Sequence, residues 1–338
     1  MSDFFDIGFS VREASWHGKA TVLGDYPGRE EAMRLAGHDF RVIEVPVFTR
    51  PTLLDRSGFP LPPSSLAPLE GWKALQKDTD DVVLNVVRDS YTVVQNDVLW
   101  DIVDAVVDQP NVKYETAGVL RDGAVLWVLA RLDEPVTITG DVTQTYPYIA
   151  CSTTHDGTGA CTARNTSVRV ICWNTHSMME DETFRTGREF TFRHTLHVLD
   201  RIEEAKTLLR GTREAFASYV AIAEELAHIS VTDSTIERFL VEFVPLPAAD
   251  IVSDRVVANV ETAREAIRDI LNGPTTVTIR NTAYGLVQAG TEYLDHIRGY
   301  RNSDTYLGRT LLRPEPLKAK LVKLVRELAR EDAVALTV

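Results

Sequence analysis

The chain has 338 residues, 44% of them hydrophobic and 25% charged, with a net charge of −13. That is enough chain for one large domain or two ordinary ones, in the composition range of a globular protein. The charge argues against any attraction to nucleic acid or an anionic membrane spread over the whole surface, and no run reaches the ~18 apolar residues of a membrane span.

Three cysteines without a CxxC pair imply reduced thiols rather than a disulfide framework. The first residues, MSDFFDIGFS, carry acids where a signal peptide carries a basic region, so a cytoplasmic location is expected. Charge is unevenly spread. Residues 73–160 hold 6 Lys/Arg against 14 Asp/Glu, whereas residues 280–330 hold 10 against 5, a basic bias that the total conceals.

In chain order, residues 1–40 read as a polar arm and a short helix with Pro27 near its start and Arg29–Ala36 as its body. A strand follows over Phe40–Thr49. Residues 50–70 carry five prolines and read as an irregular loop. VVLNVVRDSYTVVQ (82–95) suggests two strands about an Arg88–Ser90 turn, and Asn96 sits where it would cap a helix over 97–108. Two hairpins come next. Lys113–Leu120 and Ala124–Leu132 flank Asp122-Gly123, while Tyr146–Thr153 and Ala160–Cys172 flank Asp156-Gly157; Asp-Gly suits such turns because Gly readily takes positive φ. A strand over Arg188–Arg193 precedes a long helix from Thr195 to about Ala227. Four more helices are expected: one opening at Thr232–Ser234, then 252–271, 281–298 and 316–330. Strands with one helix followed mostly by helices is the order of an α+β fold, an antiparallel sheet covered by helices. The expected divisions are 1–70 for the arm, short helix, strand and Pro-rich loop, 71–230 for an α+β core, and 231–338 for a helical region. There is no GxGxxG or GxxxxGK[ST] loop, which argues against nucleotide binding by those devices.

Reactive side chains concentrate in residues 146–195, where Cys151, Cys161 and Cys172 accompany His155, His176 and His194. A metal is the first chemistry to weigh there. Cys151-x3-His155 and Cys172-x3-His176 offer thiolate and imidazole, the ligands of zinc. Against it, a hairpin turn interrupts the first pair, and free cysteines often simply fill core space. Catalysis is the second: His155, Asp156 and Asn174 supply a base, a carboxylate and an amide donor. Yet Asp156 is also what the turn wants, and Asn174-Thr175 fits the cap of a helix beginning near His176. The third is nucleic-acid contact. Arg164, Arg169, Arg185, Arg188 and Arg193 interleave with Trp173, Phe184, Phe190 and Phe192, cations and stacking rings of the kind a single-strand groove uses. Residues 162–215 hold 9 basic against 8 acidic residues, so no strong local field supports it.

Several stretches together resemble a known family. They are Ala14-Ser15-Trp16-His17-Gly18 with Thr21-Val22-Leu23, Glu30-Glu31-Ala32-Met33-Arg34-Leu35-Ala36-Gly37, Tyr91-Thr92-Val93-Val94-Gln95-Asn96 and Tyr114-Glu115-Thr116-Ala117-Gly118. His155-Asp156-Gly157, Arg169-Val170-Ile171-Cys172-Trp173-Asn174-Thr175, Asn281-Thr282-Ala283-Tyr284-Gly285 and Thr291-Glu292-Tyr293 complete the set. This is similar to the phage/plasmid-like proteins built on domain of unknown function 932, over about residues 14 to 310. The resemblance implies a mobile-element setting rather than a reaction. Only His155, Asp156, Gly157, Cys172, Asn174 and Thr175 match its motif, which weakens a metal role for Cys151, Cys161 and His176.

The reading preferred on this footing is a non-enzymatic protein of phage or plasmid DNA metabolism that binds or anneals single-stranded DNA as a homo-oligomer, without cofactor or membrane. Arg164, Arg169, Arg185 and Arg193 would meet phosphates and Trp173 would stack a base. Phage annealing proteins share the broad layout of hairpins followed by a long helix, which is a fold-level analogy only. The alternatives are a hydrolase of nucleic acid or nucleotides using His155, Asp156 and Asn174, and an anti-defence or other host-directed protein whose acidic surface occupies a partner's basic site.

Overall fold

The computed structural model of the chain describes residues 5–11, 20–50, 55–59, 66–107, 113–132, 135–157, 159–169, 174–176, 189–192, 212–248, 253–299 and 316–335. Its strands are β1 (Phe5–Val11), β2 (Thr21–Leu23), β3 (Val42–Thr49), β4 (Ala67–Lys77), β5 (Val83–Arg88), β6 (Lys113–Leu120), β7 (Val125–Arg131), β8 (Thr145–Thr154), β9 (Cys161–Arg169), β10 (Asn174–His176) and β11 (Glu189–Phe192). Its α-helices are α1 (Arg29–Leu35), α2 (Asp97–Val107), α3 (Thr212–Ala227), α4 (Asp233–Phe243), α5 (Asp254–Asn272), α6 (Ala283–Glu292) and α7 (Pro316–Ala335). The fold class is α+β. Among the described residues no helix is long and apolar enough to cross a membrane.

The larger sheet runs in the order β10-β9-β8-β7-β6-β1-β2, with β11 also paired to β9, and a separate three-stranded sheet runs β3-β4-β5. Both Asp-Gly turns form as the sequence leads one to expect. Arg121, Asp122 and Gly123 take φ of 55°, 57° and 95°, and Gly157 takes 71°. These left-handed values close β6–β7 and β8–β9 into hairpins. The β1–β2 pair is parallel, whereas β1–β6, β9–β10, β3–β4 and β4–β5 are antiparallel.

Three local expectations change. The Pro-rich loop expected over 50–70 gives way at Ala67 to a strand that runs to Lys77. As the central strand of its sheet, β4 is held by β3 on one side and β5 on the other, so pairing outweighs local propensity. Residues 91–95 form no strand. Instead the Gln95 carboxamide substitutes for one, accepting from Val42 N–H at 3.1 Å and donating to Val42 C=O at 2.9 Å. Asn174, Thr175 and His176, expected at a helix start, form β10, antiparallel to Arg169, Val168 and Ser167 of β9, while residues 177–188 lie outside the described residues. The expected helix from Thr195 is described from Thr212 only, and residues 193–211 lie outside the described residues.

Cα proximity divides the chain into two units, one of residues 1–129, 151–163 and 190–207, the other of 130–150, 164–189 and 208–338. In the first, Phe9, Leu75, Leu99, Trp100, Ile102, Leu120 and Trp127 are fully buried. In the second, Tyr219, Leu226, Phe239, Ile267, Tyr284, Leu286, Val325 and Leu328 belong to one core of α3 to α7.

The Asn281–Gly285 stretch builds the entry to α6. Thr282 caps the helix by accepting from Gly285 N–H at 3.0 Å, and Val231 N–H and Ala283 N–H pair with Asn281 C=O and Ile229 C=O, both at 2.9 Å. Gly285 packs so closely on the preceding turn that a Cβ there would lie 2.0 Å from the Ile279 carbonyl oxygen. Gly285→Ala must therefore displace backbone rather than a flexible side chain. We expect a loss of at least about 1–3 kcal/mol, read as a lowered Tm in thermal unfolding.

Candidate functional site

Stretches far apart in sequence meet in the first unit on a buried hydrogen-bond network. At the end of α1 the chain closes a Schellman turn: Gly37, at φ 69°, donates to Arg34 C=O at 3.1 Å and His38 N–H to Met33 C=O at 2.8 Å. The turn delivers the His38 side chain into the core, where Trp100 Nε1 donates to its Nδ1 at 3.2 Å. Since Nδ1 accepts, Nε2 carries the proton and donates to Gly118 C=O at 2.9 Å. Position 118 needs glycine for the strand pairing, because a Cβ there would lie 2.7 Å from Ile7 C=O of β1. Burial pushes the His38 imidazole down to about 4, so it is neutral at ordinary pH.

Asn96 joins the two histidines. Its carboxamide nitrogen donates to His38 C=O at 3.1 Å and Phe40 C=O at 2.8 Å. Its oxygen is then the acceptor for His155 Nε2 at 2.8 Å. The side chain expected to cap α2 is thus spent on tertiary bonds. His155 is 0% exposed, packs edge-on to Phe40 and is held through its own N–H to Ala124 C=O at 2.7 Å.

Beyond His155 the β8–β9 turn is tied down by its neighbours. Tyr91 Oη donates to Thr154 C=O at 3.1 Å, and Asn85 donates to Asp156 C=O. Arg121 pairs with the Asp156 carboxylate at 2.6 Å, with the Asp156 side chain 12% exposed. His155 and Asp156 therefore lie next to each other in chain but face different environments, one the core and the other an arginine. Each has structural partners, and the pair does not present a shared acid–base centre to solvent.

The remaining expected site residues are placed as follows. Cys151 and Cys161 are free and buried. Desolvation raises both thiols, Cys161 to about 12, so neither rests as the thiolate that nucleophilic attack needs. Among the described residues no group of three or more His, Cys, Asp or Glu side chains is placed to hold a metal ion. Arg164 is 8% exposed, which leaves little of it to meet a phosphate. Arg169, Asn174 and His176 are described as backbone of β9 and β10, while Cys172, Trp173, Arg185 and Arg193 lie outside the described residues. His38, Trp100 and the tertiary role of Asn96 were missed from sequence. The Gly37-His38 step after an amphipathic helix was the available signal.

A second polar cluster lies in the other unit. The helix containing α6 widens into a π-helical turn at Tyr293–Ile297, an arrangement often found at functional positions. That turn holds Asp295, 1% exposed, in an ion pair with Lys318 of α7 at 2.6 Å. Glu292 on the same helix accepts from Thr275 Oγ1 at 2.9 Å.

A family model described as "Domain of unknown function (DUF932)" matches residues 83–313, starting at β5 and thus later than the resemblance read from the sequence. No curated protein and no solved structure matches the chain.

Two outcomes follow from these bonds. Asn96→Ala strands three buried polar partners, and we expect it to cost at least about 2 kcal/mol by chemical denaturation. For His38 the folded pKa lies below the unfolded value of 6.5, so between pH 6.5 and about 4 only the unfolded chain takes up the proton. Stability contributed by this group is complete above pH 6.5 and declines on acidification, by at most about 1.4 kcal/mol per pH unit. A denaturation series across that window, flatter in His38→Gln than in the parent chain, is the check. Separately, Lys318→Met leaves Asp295 as a buried charge without its lysine, and a loss of about 3–5 kcal/mol is expected.

Proposed function

The chain belongs to the family of domain of unknown function DUF932, and from there we propose that it is a non-enzymatic protein of mobile-element DNA metabolism that binds or anneals single-stranded DNA. The observation that carries this reading is a stack of guanidinium on indole at the surface: the Arg88 Cζ lies 4.0 Å from the centroid of the Trp72 ring. Arginine stacked on an aromatic ring gives a base a flat partner and a phosphate a cation, which is the pairing that sequence-tolerant single-strand sites use. The histidine motif supports binding over catalysis. His155 donates to Asn96 inside a sealed core, so using it as a base would require opening that core. The mobile-element setting rests on the sequence resemblance, and self-association accompanies the activity as it does where annealing proteins line a strand.

The test is a fluorescent oligonucleotide titrated with the protein at increasing salt. Binding at low ionic strength should weaken with a log–log slope of about −0.7 for each phosphate neutralised. Absent or salt-independent binding removes the reading.

A further inference from the structure

The Arg88–Trp72 stack belongs to a surface with a definite pattern. In a sheet, directly opposed residues project from the same face. Across β3-β4-β5 the registers place Ile43, Gln76 and Val83 in one row, Val45, Ala74 and Val86 in the next, and Trp72 with Arg88 in a third, all on one face. The opposite face carries Val42, Leu75 and Val87, which are buried. On the first face Ile43, Val83 and Val86 are 41%, 55% and 40% exposed. One side of this sheet is turned to the core; on the other the outer strands are exposed at Ile43, Val83 and Val86, while Ala74 of the central strand is 6% exposed.

An open apolar sheet face of this kind marks an interaction surface. Its charge separates candidate occupants. In a chain of net charge −13 none of the eight residues in these rows is a carboxylate, and the one charged residue is Arg88. An anionic strand is accepted where acids are missing and a cation is present. Glu44, whose position belongs to the other face, is paired with Lys73 at 2.8 Å. Acids do border the rows: Asp81 of the β4–β5 turn accepts from Gln76 at 2.9 Å, and Glu70 and Asp89 lie close in sequence to Trp72 and Arg88.

Spacing selects the form of the nucleic acid. Successive rows on one face are two residues apart, about 6.8 Å, twice the ~3.4 Å rise of bases stacked in a duplex. Bases seated on neighbouring rows are therefore pulled apart from one another, which a single strand allows and a duplex does not. Specificity is low by the same geometry. Gln76 is the only amide in the rows, and its nitrogen is engaged by Asp81, so the face has a platform for base faces and little with which to read base edges.

We propose that this open face of β3-β4-β5 is the surface on which the protein holds the bases of single-stranded DNA, with Trp72 as the stacking platform and Arg88 as its cation. The proposal rests on the single-strand reading above. It places the contact outside the Cys/His-rich segment that the sequence singles out, on strands that mostly precede the family-matched region.

Binding of a fluorescein-labelled oligothymidylate by the full chain, followed by anisotropy, tests it with three variants. Trp72→Ala should weaken binding about tenfold or more without changing the salt slope, since stacking rather than charge is removed. Arg88→Ala should weaken binding and make the slope shallower by about 0.7, the share of one phosphate. Val86→Glu, at an exposed position that tolerates a polar side chain, should weaken binding by placing a carboxylate mid-face, and it carries the test should Trp72→Ala unfold. If the parent chain binds and all three variants bind alike, the face is not the site, while the single-strand reading stands. If the parent chain does not bind at low salt, that reading fails and this proposal with it. If Val86→Glu reduces the size of an oligomer and leaves oligonucleotide affinity intact, the face joins copies of the chain and the proposal is overturned.

Discussion

A single carboxamide governs the geometry of the first unit. Asn96 offers one acceptor and two donors, and all three are used at once, on His155, His38 C=O and Phe40 C=O. Those partners belong to the β8–β9 turn and to the segment between α1 and β3, while His38 itself reaches Trp100 of α2 and Gly118 of β6. In a core from which water is excluded, each of these bonds is expensive to leave unmade. The arrangement is therefore close to all-or-none: displacing any member strands the next. A leucine at position 96 would fill volume but could not fix which segments meet.

The same network decides what the histidines are for. Imidazole is useful in catalysis when its proton can come and go near neutral pH. Here both rings have fixed tautomers, His38 because Trp100 donates to one nitrogen and Gly118 accepts from the other, and His155 because Asn96 has only its oxygen left to offer. Burial holds His38 neutral well into the acidic range. His155, which in sequence looks like a reactive group, is in three dimensions a shaped connector, as is His38. Asp156, beside them, is turned to Arg121 instead.

How much of this could be read from the sequence varied with the range of the interaction. Local devices were readable: the Asp122-Gly123 and Asp156-Gly157 hairpins, the apolar face of α2 and the α4 cap at Thr232, with its reciprocal bond to Thr235, all rest on neighbours within a few residues. Elements whose stability comes from distant partners were not. β4 has little β propensity of its own and exists because two strands flank it, and β10 reads as a helix cap until its pairing with β9 is known. The candidate sites divide in the same way. His155-Asp156 was visible as a motif, but its role depended on Asn96, 59 positions away. The Trp72–Arg88 stack gave no sequence signal, because only strand register makes the two residues neighbours.

Register also bears on how an acidic chain could take the anionic ligand proposed for it. Long-range attraction cannot bring a polyanion to a protein of net charge −13, so association must rely on contacts that act at short range. Stacking on an indole and burial of apolar rows are of that type, and a lone guanidinium suffices to meet a phosphate without creating a basic field. Sheet alternation produces such a face without special residues. It sends Glu44 and Lys73 to one side, where they neutralise each other, and leaves the other side with valines, an isoleucine, a tryptophan and one arginine. A one-residue slip of β4 against its neighbours would turn Lys73 to the open face and Trp72 to the other, parting Lys73 from Glu44 and Trp72 from Arg88. The β3-β4-β5 register is therefore a condition for folding and, on the proposal that this face holds single-stranded DNA, for binding as well.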